Sequence, residues 1–380
     1  MNNNTHSSDV IVIGGGLVGS SVAYGLLRQG LSVTILDGAD DTIRPSRGNF
    51  GLVWVQGKGF GMADYARWSF GSARQWPALR DELQAQTGID VELMQPGGLH
   101  ICLSEEEMAQ RVDKLRWLES EVGDPAYRST VLSREEAAEH LPGLGPEVAG
   151  ATYSAMDGHC NPLKLLRALY SANIAKGARI HNRMQVDAIR KDGGIFHVSA
   201  GERAWQAPRI VIAAGHATQQ LSAMVGMFVP VRPNKGQVFI TERVQPFLTH
   251  PTNYVRQTDE GTVQIGDSME ELGFDDMVRV PVNARIAARA VKCFPVLANA
   301  RVVRTWAALR VMSPDGFPMY QESDSHPGAF AVTCHSGVTL AAQHVFCIAP
   351  WVATGLRPAA IEAFPATRFT PETEVKPYGI

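Results

Sequence analysis

The stretch Asp9-Val-Ile-Val-Ile-Gly-Gly-Gly-Leu-Val-Gly-Ser20 decides the fold of this chain. A short apolar run, typical of a buried strand, breaks into Gly14-x-Gly16-x-x-Gly19, and an amphipathic helical pattern then continues to about Gly30. The first glycine lets the chain turn off the strand, the second lets backbone approach a pyrophosphate, and the third lets the helix pack closely on the sheet. The helix N-terminus adds N–H groups and partial positive charge. The stretch therefore predicts a phosphate-binding turn.

A second apolar run, Ser32-Val-Thr-Ile-Leu36, ends at Asp37, whose carboxylate is placed to accept hydrogen bonds from a ribose. The expected ligand is an adenine dinucleotide. A glycine motif of this kind also occurs in tight turns that bind nothing, and this alternative stays open. The nearly all-apolar run Arg209-Ile-Val-Ile-Ala-Ala-Gly215 indicates that the parallel sheet resumes far downstream, whereas a nicotinamide dehydrogenase normally keeps its nucleotide-binding half in one block.

Composition limits the function classes. The 380 residues, 45% of them apolar, suit two interleaved domains. A net charge of −3 disfavours nucleic acid as the main partner and leaves small charged metabolites. Five scattered cysteines without metal-ligand spacing indicate reduced thiols of a cytoplasmic protein and no metal site. We expect no signal peptide and no membrane span, because neither pattern occurs.

Five segments of the chain resemble the D-amino acid oxidase and glycine oxidase family of FAD-dependent amine oxidoreductases, and the likeness extends over nearly the whole length. They are Asp9 to Asp37, Ser46-Arg-Gly-Asn-Phe-Gly51, Ala213-Ala-Gly215, Lys235-Gly-Gln237, and Arg310-Val-Met-Ser-Pro-Asp-Gly316 followed by Cys334-His-Ser-Gly-Val-Thr-Leu340. Within the family, Asn49 to Gly59 and Cys334 to Ala341 most resemble the FAD-carrying β subunits of heteromeric dehydrogenases. Members of that subgroup act on opines, on hydroxyproline or proline, or on glycine in cyanide synthesis.

The resemblance implies an α/β fold: an FAD-binding, Rossmann-like, doubly wound domain with an inserted α+β substrate domain that contains a mostly antiparallel sheet. Residues 86–145, rich in charge and helix formers, and the alternating runs after Pro230 would form the inserted domain. The expected order is FAD-binding, substrate, FAD-binding, substrate and FAD-binding, over residues 1–85, 86–145, 146–226, 227–304 and 305–380.

The resemblance also implies which residues hold FAD. They are Gly14, Gly16, Leu17, Val18, Gly19, Asp37, Ser46, Arg47, Asn49, Gly51, Val186, Ala214, Gly215, Gly337, Val338 and Thr339. The family often has glutamate where this chain has Asp37, but the shorter carboxylate can still reach a ribose. Val186 has an alternative interpretation as an ordinary core valine.

Three residues are the candidates for contact with substrate. Arg310 corresponds to the arginine that pairs with the substrate carboxylate in glycine oxidase relatives, since a guanidinium matches a carboxylate in bidentate fashion. Its alternative is a structural ion pair, with Asp315 as the expected partner. Tyr254 would donate a hydrogen bond to the same carboxylate, or be a core aromatic. His335 would tune the flavin or contact substrate, or be a hydrogen-bonded structural histidine. For Lys58 we expect a solvated side chain.

The resulting prediction is FAD-dependent dehydrogenation of the C–N bond of an amino acid or N-substituted secondary amine, by hydride transfer to flavin N5. By resemblance, the chain would be the β subunit of a heteromeric dehydrogenase and would pass electrons to a partner subunit with further flavin or iron–sulfur centres. Three alternatives stay open: a single-chain, oxygen-using glycine or D-amino acid oxidase, a nicotinamide-dependent dehydrogenase, and a non-catalytic assembly subunit that contains FAD.

Overall fold

The computed structural model describes residues 6–38 and 44–375. Its strands are β1 (His6–Ser7), β2 (Val10–Ile13), β3 (Val33–Leu36), β4 (Leu52–Val53), β5 (Gly98–Cys102), β6 (Thr130–Ser133), β7 (Gly150–Ser154), β8 (Gly158–His159), β9 (Arg179–His181), β10 (Ala188–Asp192), β11 (Ile195–Ala200), β12 (Arg203–Ala207), β13 (Arg209–Ile212), β14 (Arg232–Arg243), β15 (Val255–Gln257), β16 (Thr262–Gly266), β17 (Val302–Met312), β18 (Met319–Glu322) and β19 (Ala329–Thr333).

The α-helices are α1 (Leu17–Arg28), α2 (Ala63–Thr87), α3 (Glu105–Val122), α4 (Arg134–His140), α5 (Pro162–Ala175), α6 (Thr218–Ala223), α7 (Val280–Cys293), α8 (Ala341–Gln343) and α9 (Ala349–Thr354). A π-helical segment (His344–Ile348) connects α8 to α9. Short 3₁₀ turns occur at Gly215–Ala217, Pro295–Asn299, Ala359–Ile361 and Ala366–Arg368. Among the described helices, none combines the length and apolar character that crossing a bilayer requires.

The central sheet has the strand order β18-β19-β13-β2-β3-β9, with parallel pairing throughout except between β18 and β19. All four residues of β2 and all four of β3 are buried. This explains why both strands are continuous apolar runs and not alternating ones, since a parallel sheet is covered on both faces. The order also joins strands that are far apart in sequence, because β13 lies beside β2.

Different elements pack on the two faces of the central sheet. Val10 and Val12 of β2 pack against the helical side, with α1 and α9. Ile11 and Ile13 point the other way, into a cluster with Phe196 of β11, since successive strand residues face opposite sides. The second face is thus covered by the sheet β1-β12-β11-β10, antiparallel except between β1 and β12, together with α6. A layer made of helices alone covers only the first face. The structure has the predicted Rossmann-like α/β sheet and a separate, mostly antiparallel sheet.

Helix starts follow their local capping residues. The Asn161 side chain accepts hydrogen bonds from the backbone N–H groups of Leu163 and Lys164, and Pro162 occupies the first helical position of α5. At α4, Ser133 and Glu136 form a reciprocal capping box. These signals lie within a few residues of each helix start, so the local sequence sets where α4 and α5 begin.

A second sheet, with the antiparallel order β15-β16-β14-β17, belongs to the substrate lobe. Leu99 and Ile101 of β5 share a hydrophobic core with Phe239 of β14 and Ile265 of β16. Residues from the stretches 86–145 and 227–304 therefore pack together, which supports the predicted substrate domain. The sheet β5-β7-β6 continues past the expected boundary at 145, because β7 pairs with both of its other strands. The five-segment division itself stays a prediction.

Candidate active site

The carboxyl ends of four parallel strands meet at one edge of the central sheet. β2, β3, β13 and β19 end there, and the residues that follow are Gly14, Asp37, Ala213 and Cys334. In open α/β sheets this edge, beside the glycine-rich turn, is where nucleotides bind. The topology brings together three of the segments that the sequence singled out.

The turn after β2 has no room for side chains. Gly14 has a φ of +109°, and a Cβ on it would lie 2.2 Å from the backbone oxygen of Ala213. A Cβ on Gly16 would lie 2.8 Å from Ser46 Oγ. Ser46 Oγ accepts a hydrogen bond of 3.0 Å from the Leu17 N–H, at the N-terminus of α1. The first turn of α1 carries no acidic side chain, so the positive end of its dipole is left for an anionic ligand.

Asp37 lies directly opposite the glycine turn. Its Oδ1 accepts hydrogen bonds of 3.0 Å from the Gly15 N–H and 2.9 Å from Arg44 Nη1. The carboxylate lines the channel that begins at the turn. A carboxylate held at this position fits the hydroxyl groups of a ribose, as expected from the end of the second strand.

The channel along this edge contains most of the predicted cofactor residues. Those that line it are Gly14, Gly16, Leu17, Val18, Asp37, Ser46, Asn49, Val186, Ala214, Gly215 and Gly337. Gly19, Arg47 and Gly51 do not line it. Gly19 has a packing role, since a Cβ there would lie 1.9 Å from the Gly14 oxygen, and Gly51 lies against the backbone of Cys160. For these three residues the structure gives no direct support as ligand contacts.

A second cavity of about 570 Å³ continues from the channel, with Pro45, Asn49 and His335 lining both. The central sheet contributes its edge to this cavity, and the substrate lobe contributes residues of β14 and β17 and the segment that follows β16. The predicted residues that line it are Arg310, Tyr254, His335, Asn49, Val338 and Thr339. The structure thus places all three substrate candidates around one space that connects to the nucleotide channel.

Arg310 lies on β17 and is held by groups of the substrate lobe. Its Nη1 donates to Asn234 Oδ1 at 2.8 Å and to the Ser268 oxygen at 3.1 Å, and Nη2 donates to Asp267. Arg310 therefore makes the structural ion pair that was left open as the alternative, but its acid is Asp267, because Asp315 pairs with Arg368, 2.9 Å away. An arginine has five N–H donors, so these bonds leave two for a ligand in the cavity.

Tyr254 lies beside the start of β15. Its ring centroid is 6.0 Å from that of His100, and the Arg289 guanidinium lies 4.5 Å from the ring centroid. Burial raises the pKa of Tyr254, so its hydroxyl stays protonated and can donate. That hydroxyl makes no hydrogen bond with any residue in the described ranges, which leaves it available to a ligand.

The Lys58 side chain lies in the cavity and not in solvent, where it had been expected. Its Nζ donates to Ser336 Oγ and lies 5.8 Å from the centroid of the Tyr65 ring, inside the cavity. Burial lowers its pKa to about 8. The side chain is therefore not the solvated lysine that its glycine-rich loop suggested. His335 Nε2 lies 3.1 Å from the same Ser336 Oγ, and burial holds the pKa of His335 well below the usual value, so the ring is neutral.

The turn at Ser336 to Leu340 is anchored by α2, a helix that sequence reasoning did not predict. Trp76 Nε1 donates to the Val338 and Thr339 oxygens at 3.1 Å, and Ser72 Oγ donates to the Thr339 oxygen at 2.7 Å. The Trp54 N–H donates to Thr339 Oγ1 at 3.2 Å, which ties the turn to the segment after Asn49. These contacts hold two sequence-distant segments together at the cavity.

Comparison with known proteins agrees with this geometry. The family described as DAO, FAD dependent oxidoreductase, matches residues 9–344. An opine oxidase subunit of Agrobacterium tumefaciens is 42% identical over 361 residues, which cover 95% of this chain and 97% of that protein. The corresponding opine oxidase subunit of Rhizobium meliloti is 41% identical over 361 residues, with the same coverage. The crystal structure of glycine oxidase from Geobacillus kaustophilus superposes with a TM-score of 0.88 and 26% identity, covering 96% of this chain and all of that one.

The side-chain-free glycine turn, the uncapped start of α1 and the Asp37 carboxylate all fit an adenine dinucleotide, and the adjoining cavity fits a ring system beside a substrate. The predicted cofactor, FAD, and the predicted enzyme class are confirmed by the family match and its relatives. The chain belongs to the DAO family of FAD-dependent oxidoreductases, and the protein is an FAD-dependent amine or amino acid oxidoreductase.

Proposed function

We propose that the protein dehydrogenates the C–N bond of an opine-type secondary amine, or of proline or hydroxyproline, as the FAD-carrying subunit of a heteromeric dehydrogenase. The observation that carries the proposal is the convergence of Arg310, Tyr254 and His335 on the cavity that continues the nucleotide channel. Identity of 42% to an opine oxidase subunit over nearly the whole chain supports the subunit role and favours opines among the substrates.

Each side chain has a defined task in this proposal. Arg310 binds the substrate carboxylate through its two remaining N–H groups, and Tyr254 donates to the same carboxylate. Gly14, Gly16, Asp37 and the turn at Gly337 hold FAD. FAD bound there supplies the acceptor for the two electrons released from the C–N bond.

Neutral His335 and Lys58 border the amine end of the cavity. Both contact Ser336, and Lys58, with its pKa near 8, exchanges a proton more readily at neutral pH than an ordinary lysine does. The protein is proposed to act in the cytoplasm, which is consistent with its five unpaired cysteines. Electrons leave to a partner subunit that carries further flavin or iron–sulfur centres.

The test is anaerobic mixing of the purified flavoprotein with an opine, proline, hydroxyproline isomers and glycine, while the flavin absorbance is followed. Reduction by an opine or by a cyclic amino acid is the expected result. Arg310→Met should weaken the apparent substrate affinity roughly 10- to 100-fold, because a charge-assisted bond is lost. Arg304→Met is the matched control, since Arg304 lies on the exposed part of the same strand, β17, and does not line the cavity.

Peroxide formation in air tests whether the chain needs a partner subunit to accept its electrons. A dehydrogenase subunit consumes substrate with an artificial electron acceptor and forms little peroxide alone. Stoichiometric peroxide from the isolated chain would identify an oxygen-using oxidase instead. Flavin that none of these amines reduces would overturn the proposed function.

A further inference from the structure

The end of the cavity formed by the inserted lobe carries positive charge that the proposed reaction does not use. Arg111, from α3, lines this end. The acidic residues that line the same cavity are Asp267 and Asp315, and each is paired with an arginine of its own, Arg310 and Arg368. Arg111 forms no ion pair with any residue in the ranges that the structure describes. Its charge is therefore not balanced by the cavity wall.

Arg111 is held in place by neutral groups only. The residue is 7% exposed. Its Nε donates to Thr152 Oγ1 at 3.2 Å, and Nη2 donates to Gln56 Oε1 at 2.8 Å. The third nitrogen, Nη1, donates to no residue within 6–38 or 44–375. Buried charges are normally paired, so a guanidinium positioned this way is suited to an anion from solution.

The nearby acid does not fill that role. Asp157 accepts its hydrogen bonds from the backbone N–H groups of Val55 and Gln56, and it does not line the cavity. Burial raises the pKa of Asp157 to about 7, so its negative charge is itself weakened. Arg111 consequently keeps its positive charge at this end, where Lys114 of the same helix also lines the cavity.

The loop beside Arg111 is shaped around the guanidinium. Gly57 has a φ of +78°, and a Cβ on it would lie 2.2 Å from Arg111 Nη1. The positive φ favours glycine here, and a side chain at this position would displace the guanidinium. The guanidinium thus lies directly against the loop that leads to Lys58, which also lines the cavity.

The cavity therefore has a guanidinium from each of two elements. Arg310 comes from β17 of the substrate sheet, and Arg111 comes from the inserted lobe. Tyr254 lines the same cavity as Arg111 and Arg310. A ligand that contacts Tyr254 can consequently reach toward both cations.

We propose that Arg111 binds a second carboxylate of the substrate, so that the site selects secondary amines that carry two acid groups. One carboxylate pairs with Arg310, the amine lies at the Lys58 and His335 side, and the other carboxylate pairs with Arg111. This inference rests on the proposed function for the identity of the amine, but its charge recognition can be measured without turnover.

The test uses the purified flavoprotein and ligands in which an ether oxygen replaces the amine nitrogen, because these have no C–N bond to oxidise. Diglycolate and 3,3′-oxydipropionate carry two carboxylates, whereas methoxyacetate and 3-methoxypropionate carry one. Isothermal titration calorimetry gives the dissociation constants. For at least one of the two lengths, the diacid should bind roughly 10- to 100-fold more tightly than the monoacid, as expected for one more charge-assisted contact.

Two variants assign the difference to Arg111. Arg111→Gln should abolish the affinity ratio between diacid and monoacid. Arg116→Gln removes the same charge from the exposed face of α3, where Arg116 pairs with Asp113 and its side chain is 76% exposed, and should keep the ratio. If Arg111→Gln fails to fold, the wild-type comparison still tests the inference, because equal affinities for diacid and monoacid would overturn it.

Equal affinity for diacids and monoacids in the wild type, or a ratio that persists in Arg111→Gln, would overturn the inference. The two proposals separate cleanly. If no amine reduces the flavin but the affinity ratio between diacid and monoacid still depends on Arg111, the proposed function is wrong and the second anion site stands. If amines reduce the flavin but diacids bind no more tightly than monoacids, the proposed function stands and the second anion site is wrong.

Discussion

Substituting Gly14 by alanine tests the nucleotide turn most directly. The new Cβ would lie 2.2 Å from the Ala213 oxygen, well inside ordinary van der Waals distance, at a φ of +109°. The overlap cannot be relieved by a side-chain rotation, because Ala213 is backbone-paired to β2, with its N–H donating to the Ile13 oxygen at 2.8 Å. The turn must move by about an ångström, and the edge of the sheet must move with it.

The backbone term alone costs on the order of 1–3 kcal/mol, since this region of φ is disfavoured for residues with a side chain. The overlap between the new Cβ and the Ala213 oxygen destabilises the folded protein further. We expect Gly14→Ala to lose most of its FAD during purification and to have a markedly lower melting temperature. The assay is the flavin-to-protein absorbance ratio after gel filtration, followed by thermal unfolding with and without added FAD.

Gly30→Ala is the matched control. Gly30 has a φ of +81°, but a Cβ on it would meet nothing within 4 Å. It should therefore carry only the backbone cost, of about 1 kcal/mol, and keep its FAD. If Gly14→Ala retains full flavin and melts within a degree or two of Gly30→Ala, the argument that this turn needs close backbone approach is refuted.

Three further outcomes follow from the contacts described above. Asp37→Ala should weaken FAD binding roughly 10- to 100-fold in fluorescence titration, because a charge-assisted contact to the ribose is lost. Lys58→Met should stabilise the cofactor-free protein at pH 7: the pKa of Lys58 falls from 10.5 to about 8 on folding, so protonation opposes folding fully below pH 8 and not at all above 10.5. Leu165→Ala should cost about 2–5 kcal/mol in denaturant unfolding, because Leu165 is completely buried in the helical layer.

Each of these has a contrary result that is easy to recognise. An unchanged FAD dissociation constant in Asp37→Ala would remove that residue from the nucleotide site. For Lys58→Met, the gap in melting temperature should close between pH 8 and 10.5, and a gap independent of pH would contradict the buried-cation account. Leu163→Ala is the control for Leu165, since Leu163 is 55% exposed and should change stability by less than about 0.5 kcal/mol.

How far the sequence could predict this protein depends on the range of the interactions involved. The turn at Gly14 is a local pattern whose causes lie within a few residues, and it was predicted from the sequence. The fold class, the cofactor and the enzyme class, inferred by resemblance, are confirmed. The roles assigned to Arg310, Tyr254 and His335 stay predictions, although the structure brings the three residues to one cavity.

The features that were missed depend on distant contacts. α2 contains Gly71 and Pro77, which weaken the local helical signal, and its function is to hold a turn more than 250 residues downstream. Asp267 directly follows β16, and the pairing of β14 with both β16 and β17 brings it to Arg310. Arg111 belongs to a charged helix, and no local pattern distinguishes a buried arginine there from an exposed one.

The strand order of the central sheet has a consequence for biosynthesis. β2 near the N-terminus needs β13 as its neighbour, β13 needs β19, and the channel is completed by Gly337. Since a nascent chain emerges N-terminus first, the ribosome must have released nearly the whole polypeptide before the vitamin-derived cofactor finds its pocket. Flavin loading is consequently a late event, and translation products that stop before Gly337 should be colourless. The yellow colour of a preparation therefore reports the fraction of chains that finished both translation and folding.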